Sequence, residues 1–281
     1  MHYGGRARRV ALRGAVWVFA IAGGLSTTTV SAADDTRNWD LTLGVAGGYE
    51  PNYSGANTKS WRLVVWADGA YRTDGFGTLA LDSGSLTIAP ELRWDVLDSP
   101  DVGVGPLLGY RSGRSDHNPG FPSADHGSTL PPGLPTVKGA IDAGAAGHVT
   151  VLGLPLFAQV RAALNGPQGV LVNLGAYVPF KPIPDIEVTV LPTVTLANAR
   201  QMNAFYGVSA TSAIASGLTP YEPGAGWENA AIEIGADWRV SGGWHLIASA
   251  AYQRLLGNAA RSPIVQTPNQ PSAFLGAALQ F

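Results

Sequence analysis

The sequence predicts an all-β transmembrane antiparallel barrel of about 12 strands, within a range of 10–14, with long extracellular loops. Three observations carry this. Short segments alternate apolar and polar residues with a period of two, as half-buried strands do. Connections alternate between tight turns and long Gly/Pro-rich stretches, the asymmetry of outer-membrane barrels. Only 14% of the residues are charged, 46% are hydrophobic, and cysteine is absent.

The amino terminus stands apart. Arg6, Arg8, Arg9 and Arg13 precede the apolar run Ala15 to Leu25, and Val30-Ser31-Ala32 offers a small-residue cleavage site. Residues 1–32 therefore read as a cleaved secretory signal peptide, and 33–281 as a single barrel domain. Removing four arginines and no acids takes the net charge from −2 to −6. An acidic balance speaks against nucleic acid as a partner.

Trp39 to Tyr49 puts Leu41, Leu43 and Val45 on one face, bounded by aromatics as girdles at two interfaces would be. Trp61 to Tyr71 repeats the pattern. Phe76–Leu81 and Leu86–Trp94 read as a hairpin about Asp82-Ser83-Gly84, with Leu86, Ile88, Leu92 and Trp94 facing lipid; Pro90 fits poorly there because it donates no ladder bond. Asp101–Arg111, Gly139–Val151, Leu156–Leu164, Val170–Phe180, Ile186–Leu196, Trp227–Val240 and Trp244–Tyr252 follow. Ser272–Phe281 is a closing strand that ends on an aromatic, and Phe281 reads as a barrel-assembly signal. Pairing of the last strand with the first removes both open edges.

The inward face collects charge. Asp40, Asp68, Glu91, Asp142, Glu187, Glu233 and Asp237 alternate with lipid-facing residues, as do Arg62, Arg72, Arg93, Arg161 and Arg239. Charges out of water must be paired or hydrated, so these residues predict a lumen charge network. Asp116-His117 and Asp125-His126 lie in the longest loop and read as solvated residues, since nothing fixes their spacing for a metal. No Gly-x-Ser-x-Gly elbow is present, and His148 and His245 have no serine partner by spacing. No catalytic residue, cofactor or metal site is expected.

Several segments resemble the MipA/OmpV family of outer-membrane proteins: Gly48-Tyr49-Glu50-Pro51-Asn52-Tyr53-Ser54-Gly55, Gly109-Tyr110-Arg111-Ser112-Gly113-Arg114, Phe205-Tyr206-Gly207-Val208-Ser209, Ser216-Gly217-Leu218 with Tyr221, and Leu255 to Ala260 with Ser262-Pro263-Ile264-Val265. Asn258 departs mildly, standing where the family often has an acid. The resemblance implies the outer membrane of a Gram-negative bacterium. It also implies a non-catalytic scaffold for peptidoglycan-remodelling enzymes in envelope maintenance, with a lytic transglycosylase and a penicillin-binding protein as partners. The alternative is a narrow solute channel or a surface adhesin. Tyr206, Gly207, Ser216, Gly217, Tyr221, Ser262 and Pro263 fall in long loops that are apolar for loops, and are expected to plug the mouth or to form an interaction surface.

Overall fold

The computed structural model describes residues 38–73, 75–114 and 130–281. The segment expected to be a signal peptide and the two Asp-His pairs lie outside the described residues.

The chain forms one antiparallel sheet that closes on itself. Its strands are β1 (Trp39–Pro51), β2 (Lys59–Thr73), β3 (Gly77–Asp82), β4 (Glu91–Asp95), β5 (Leu97–Asp98), β6 (Val102–Arg111), β7 (Ala140–Val151), β8 (Leu154–Ala163), β9 (Val170–Ala176), β10 (Val178–Ile183), β11 (Ile186–Ala197), β12 (Gly226–Ser241), β13 (Trp244–Leu255) and β14 (Asn269–Gln280). β4 and β5 are one wall strand interrupted at Val96, and β9 and β10 one interrupted at Tyr177, since each pair lies against a single neighbour. The wall is therefore 12-stranded. Closure is by β1 and β14, paired from Thr42↔Gln280 to Tyr49↔Ala273. Beyond the ladder, the Phe281 amide donates to the Leu41 carbonyl at 2.9 Å. Among the described residues no helix is long and apolar enough to cross a membrane.

The apolar face is turned outward, as lipid requires. Leu43, Val45, Leu63, Leu108, Ile141, Val160, Ile232, Ile234 and Leu246 are all exposed. At the end where β1 begins and β14 finishes they are bordered by Trp39, Tyr71, Trp94, Trp238, Trp244 and Phe281, and at the other end by Tyr49, Trp61, Tyr110, Trp227 and Tyr252. Connections at the first end are tight. β7 and β8, for example, are joined by Leu152-Gly153, both at positive φ (51° and 79°), the two-residue turn whose twist matches a hairpin. Short turns mark this end as periplasmic, and the long loops emerge outside.

One element departs from the sequence-based expectation. The predicted hairpin forms, with β3 and β4 paired from Thr78↔Asp95 to Asp82↔Glu91, but it does not turn tightly about Asp82-Ser83-Gly84. β3 and β4 have only six and five residues, and the chain between them, Ser83 to Pro90, leaves the wall and folds into the bore. Ile88, expected to face lipid, is buried among Phe157, Tyr177 and Leu191, and Leu86 lines an inner cavity. Pro90 stops the ladder because it has no N–H to give.

The outer mouth is covered. Three short helices, α1 (Ala199–Tyr206), α2 (Ala210–Ser216) and α3 (Gly257–Ala260), interrupt the long connections. α1 starts where the Asn198 side chain accepts from the Gln201 amide. α2 ends at Gly217, whose φ of 73° suits only a residue free of Cβ. Met202, Tyr206, Leu255 and Ala259 make one small core here, and Tyr53, Leu130, Leu134, Val208 and Ile264 another.

Candidate functional site: a filled bore beneath a capped mouth

The inward face holds three layers. Nearest the periplasm, charges pair in the half-hydrated opening: Arg72 with Asp40 at 3.0 Å, Lys181 with Glu187 at 3.1 Å, and His245 Nδ1 with Asp237 at 2.7 Å.

The middle layer is dense. Arg93 is held between Asp95 (2.8 Å) and Glu91 (3.1 Å). Arg111 grips Asp142 with two nitrogens, each at 2.7 Å. Arg161, fully buried on β8, stands 3.7 Å from both Glu91 and Asp142 and so ties the two groups together. Its two terminal nitrogens donate to the carbonyls of Ala89 (2.8 Å) and Pro90 (2.7 Å). Gly109 makes this possible, since a Cβ there would fall on the guanidinium. Gln159 adds a donor to Glu91. Mutual charge compensation is what makes so many buried ions tolerable.

Ser83 to Pro90 crosses this layer and is fastened on several walls. On β2, the Ser83 amide donates to Asp68 (2.8 Å), and its hydroxyl meets the Ala67 backbone. On β12, Glu233 accepts from Thr87 (3.1 Å) and also from Ser249 of β13 (2.6 Å). On β8, Arg161 holds the Ala89 and Pro90 carbonyls. Ile88 adds an apolar wedge against Phe157 and Leu191. The bore is filled at mid-height.

The third layer is the cap. The Tyr206 hydroxyl donates to Glu228 (3.0 Å) and shares a hydrogen bond with Ser54 (2.8 Å). Ser262 donates to the Tyr206 carbonyl (2.6 Å), and Tyr221 donates to the Asn258 carbonyl (2.8 Å). Val208 and Tyr221 form a β-bridge. Pro263 and Ser216 are half-buried, Gly207 lies at the end of α1, and Gly217, which ends α2, is exposed. Burial pushes the Tyr206 phenol well above the ordinary tyrosine range, and the Tyr53 phenol also upward. Burial also pushes the Arg114 guanidinium down, to about 10.

Of the charges expected inside, Arg62 pairs with Glu50 near the mouth at 3.1 Å. Arg239 keeps the inward parity and its charge acts on Glu187, but it lies near the end of β12 with an exposed side chain. The buried groups Asp82, Asp95, Arg111, Arg114 and Glu228 were not singled out from the sequence. The inward parity of β3, β4 and β6 was the signal for the first three. Among the described residues no cluster of three His, Asp or Glu side chains is placed to hold a metal.

Solved structures with similar coordinates are outer-membrane barrels of low sequence identity. A NanC porin shares 10% identity at a TM-score of 0.43, covering 84% of this chain and 98% of its own. The channel DcaP of Acinetobacter baumannii shares 10% at 0.38, covering 87% and 96%. The translocator domain of the autotransporter NalP from Neisseria meningitidis shares 12% at 0.36, covering 89% and 90%. The fold assignment rests on the closed strand pairing, not on these values. No curated protein matches the chain. Residues 43–281, all but the amino-terminal part, match the family described as MltA-interacting protein MipA. The chain belongs to the MipA family and is a barrel of the Gram-negative outer membrane.

Proposed function

We propose that this barrel is a non-catalytic scaffold that holds peptidoglycan-remodelling enzymes, a lytic transglycosylase and a penicillin-binding protein, at the inner surface of the outer membrane. The filled bore carries this reading. Ser83 to Pro90, the Arg161 layer and the cap leave no wide path for solute, so the barrel acts through its surfaces. The family's description as interacting with MltA agrees with an enzyme partner. The periplasmic rim offers one apolar contact of the right kind: Leu152 sits at a turn tip, fully exposed and at positive φ, where a leucine gains nothing within the chain.

The test is site-specific photo-crosslinking from position 152 in cells, followed by mass spectrometry of the adducts. The scaffold reading expects a murein hydrolase or synthase on the cross-linked species, and loss of the adduct when Leu152 is flanked by charge. Adducts with lipid alone would reject it.

A further inference from the structure

The inward turn that fills the bore also opens the wall. β3 and β4 end at Asp82 and Glu91, so above them β2 has no neighbour on its far side. β2 pairs with β3 only from Gly69 to Thr73, while it pairs with β1 up to Lys59. Across the opening, β6 is held by β4 up to Gly109, and the Tyr110 amide donates to the Pro90 carbonyl, so on that side the wall stays bonded almost to the top of β6. The Ala67 backbone turns toward this side and meets Ser83. By the period of two, the N–H and C=O groups of Trp61, Leu63 and Val65 face the same way, and among the described residues no strand pairs with them there. Val65 is 75% exposed, well above other outward valines, and the inward Val64 is 43% exposed. The opening lies beside β2, between Ala67 and the Trp61 belt, and faces the outer leaflet there; on β6 the wall is closed up to Tyr110.

Behind it is a cavity of about 430 Å³ that reaches both edges, Arg62 on β2 and the outward-facing Tyr110 on β6, with Leu86 as its floor. Its volume is that of a small-molecule site, roughly 300–1,000 Å³. Arg114 lines it. This arginine is 4% exposed; its terminal nitrogens donate to the carbonyls of Phe205 and Pro135, and its Nε has no hydrogen-bond partner. The titratable groups beside it are two neutral phenols, Tyr53 and Tyr206, and no carboxylate beside it appears among the described residues. Every other arginine of the bore has an acid within 4 Å. A buried cation without a counter-ion is costly, and an anion would relieve it.

We propose that the cavity binds a long-chain carboxylate, whose head meets Arg114 and whose alkyl chain enters from the outer leaflet beside β2. The same lining holds Lys138 and the Arg62–Glu50 pair; the buried guanidinium without a counter-ion calls for an anionic head, and the exposed Val64 and Val65 flank the path an alkyl chain would take. The proposal is independent of any enzyme partner at the periplasmic rim.

The test uses the full mature barrel in phosphatidylcholine nanodiscs, titrated with nitroxide-labelled stearate while its tryptophan fluorescence is quenched. Labelled methyl stearate is the uncharged control and acetate the chainless one. Arg114→Gln should weaken stearate at least tenfold and leave methyl stearate unchanged. Removing an uncompensated charge should not harm folding, which gel mobility before and after heating checks. Val64→Trp, which narrows the opening, should weaken both stearates. Acetate competing as well as stearate would mean an anion site without a chain, and would overturn the proposal. So would unchanged stearate binding in Arg114→Gln. If neither stearate binds while an added extended peptide slows amide exchange at Leu63 and Val65, the edge takes a strand instead, and the lipid reading falls.

Discussion

At the scale of single residues, burial separates the charges that hold the barrel from those that decorate it. Arg161 joins Glu91, Asp142 and two carbonyls of the inward segment in a dry layer. Arg161→Ala should leave two carboxylates short of compensation and cost about 3–5 kcal/mol. Arg239, exposed at the periplasmic end, should change stability by no more than about 0.5 kcal/mol when replaced by alanine. Urea unfolding in detergent micelles checks both, and equal costs would contradict the layer assignment. Tyr206 gives a pH signature. Its phenol must stay protonated to donate to Glu228, and its folded pKa is raised, so its contribution is fully present below the ordinary tyrosine value of about 10 and is lost as pH rises beyond it. The cap should therefore loosen above about pH 10. Tyr206→Phe, which has no proton to lose, should be less stable at neutral pH and lack that extra alkaline loss. Protease cleavage of the cap loops across pH reports the difference.

At the scale of elements, periodicity carried most of the information. Every long strand alternates cleanly because one face meets lipid and the other meets polar groups, and that is what a sequence displays. Ile232, Ile234 and Trp238 against Glu233 and Asp237 could be placed on their faces from the letters alone. Ser83 to Pro90 could not. Leu86 and Ile88 continue the alternation of a strand, yet they leave the wall, because Pro90 withholds a ladder bond and Arg161, Thr87 and Asp68 supply partners from distant strands. Those partners lie far away in sequence, so no local pattern announces them. Arg239 shows the limit of parity: it keeps the inward phase, but at the end of β12 its side chain is exposed, and parity alone does not tell depth. The cap loops were legible as apolar, though not their helices, which rest on the Asn198 and Ser209 caps and on packing across the mouth. The terminal strand makes its own prediction. Phe281→Asp sits near the interface, where charge costs only about 0–1 kcal/mol. It should lower the yield of folded barrel in cells far more than the stability of refolded protein. Quantitative blots of heat-modifiable protein test this, and equal yields would show that closure does not depend on the terminal aromatic.

At the scale of the molecule, one inward excursion sets the architecture. By shortening β3 and β4, Ser83 to Pro90 blocks the bore at mid-height and leaves the outer half of the wall open beside β2. A barrel blocked at mid-height offers no wide aqueous path, and on the reading proposed above its working surfaces are the periplasmic rim and the lateral opening. The most direct test is single-channel recording in planar bilayers, comparing the native barrel with one in which Gly84 to Ala89 are replaced by a two-residue Asn-Gly turn. The account predicts a silent native protein and a variant with steady ohmic conductance. Steady conductance from the native barrel, unchanged in the variant, would contradict it.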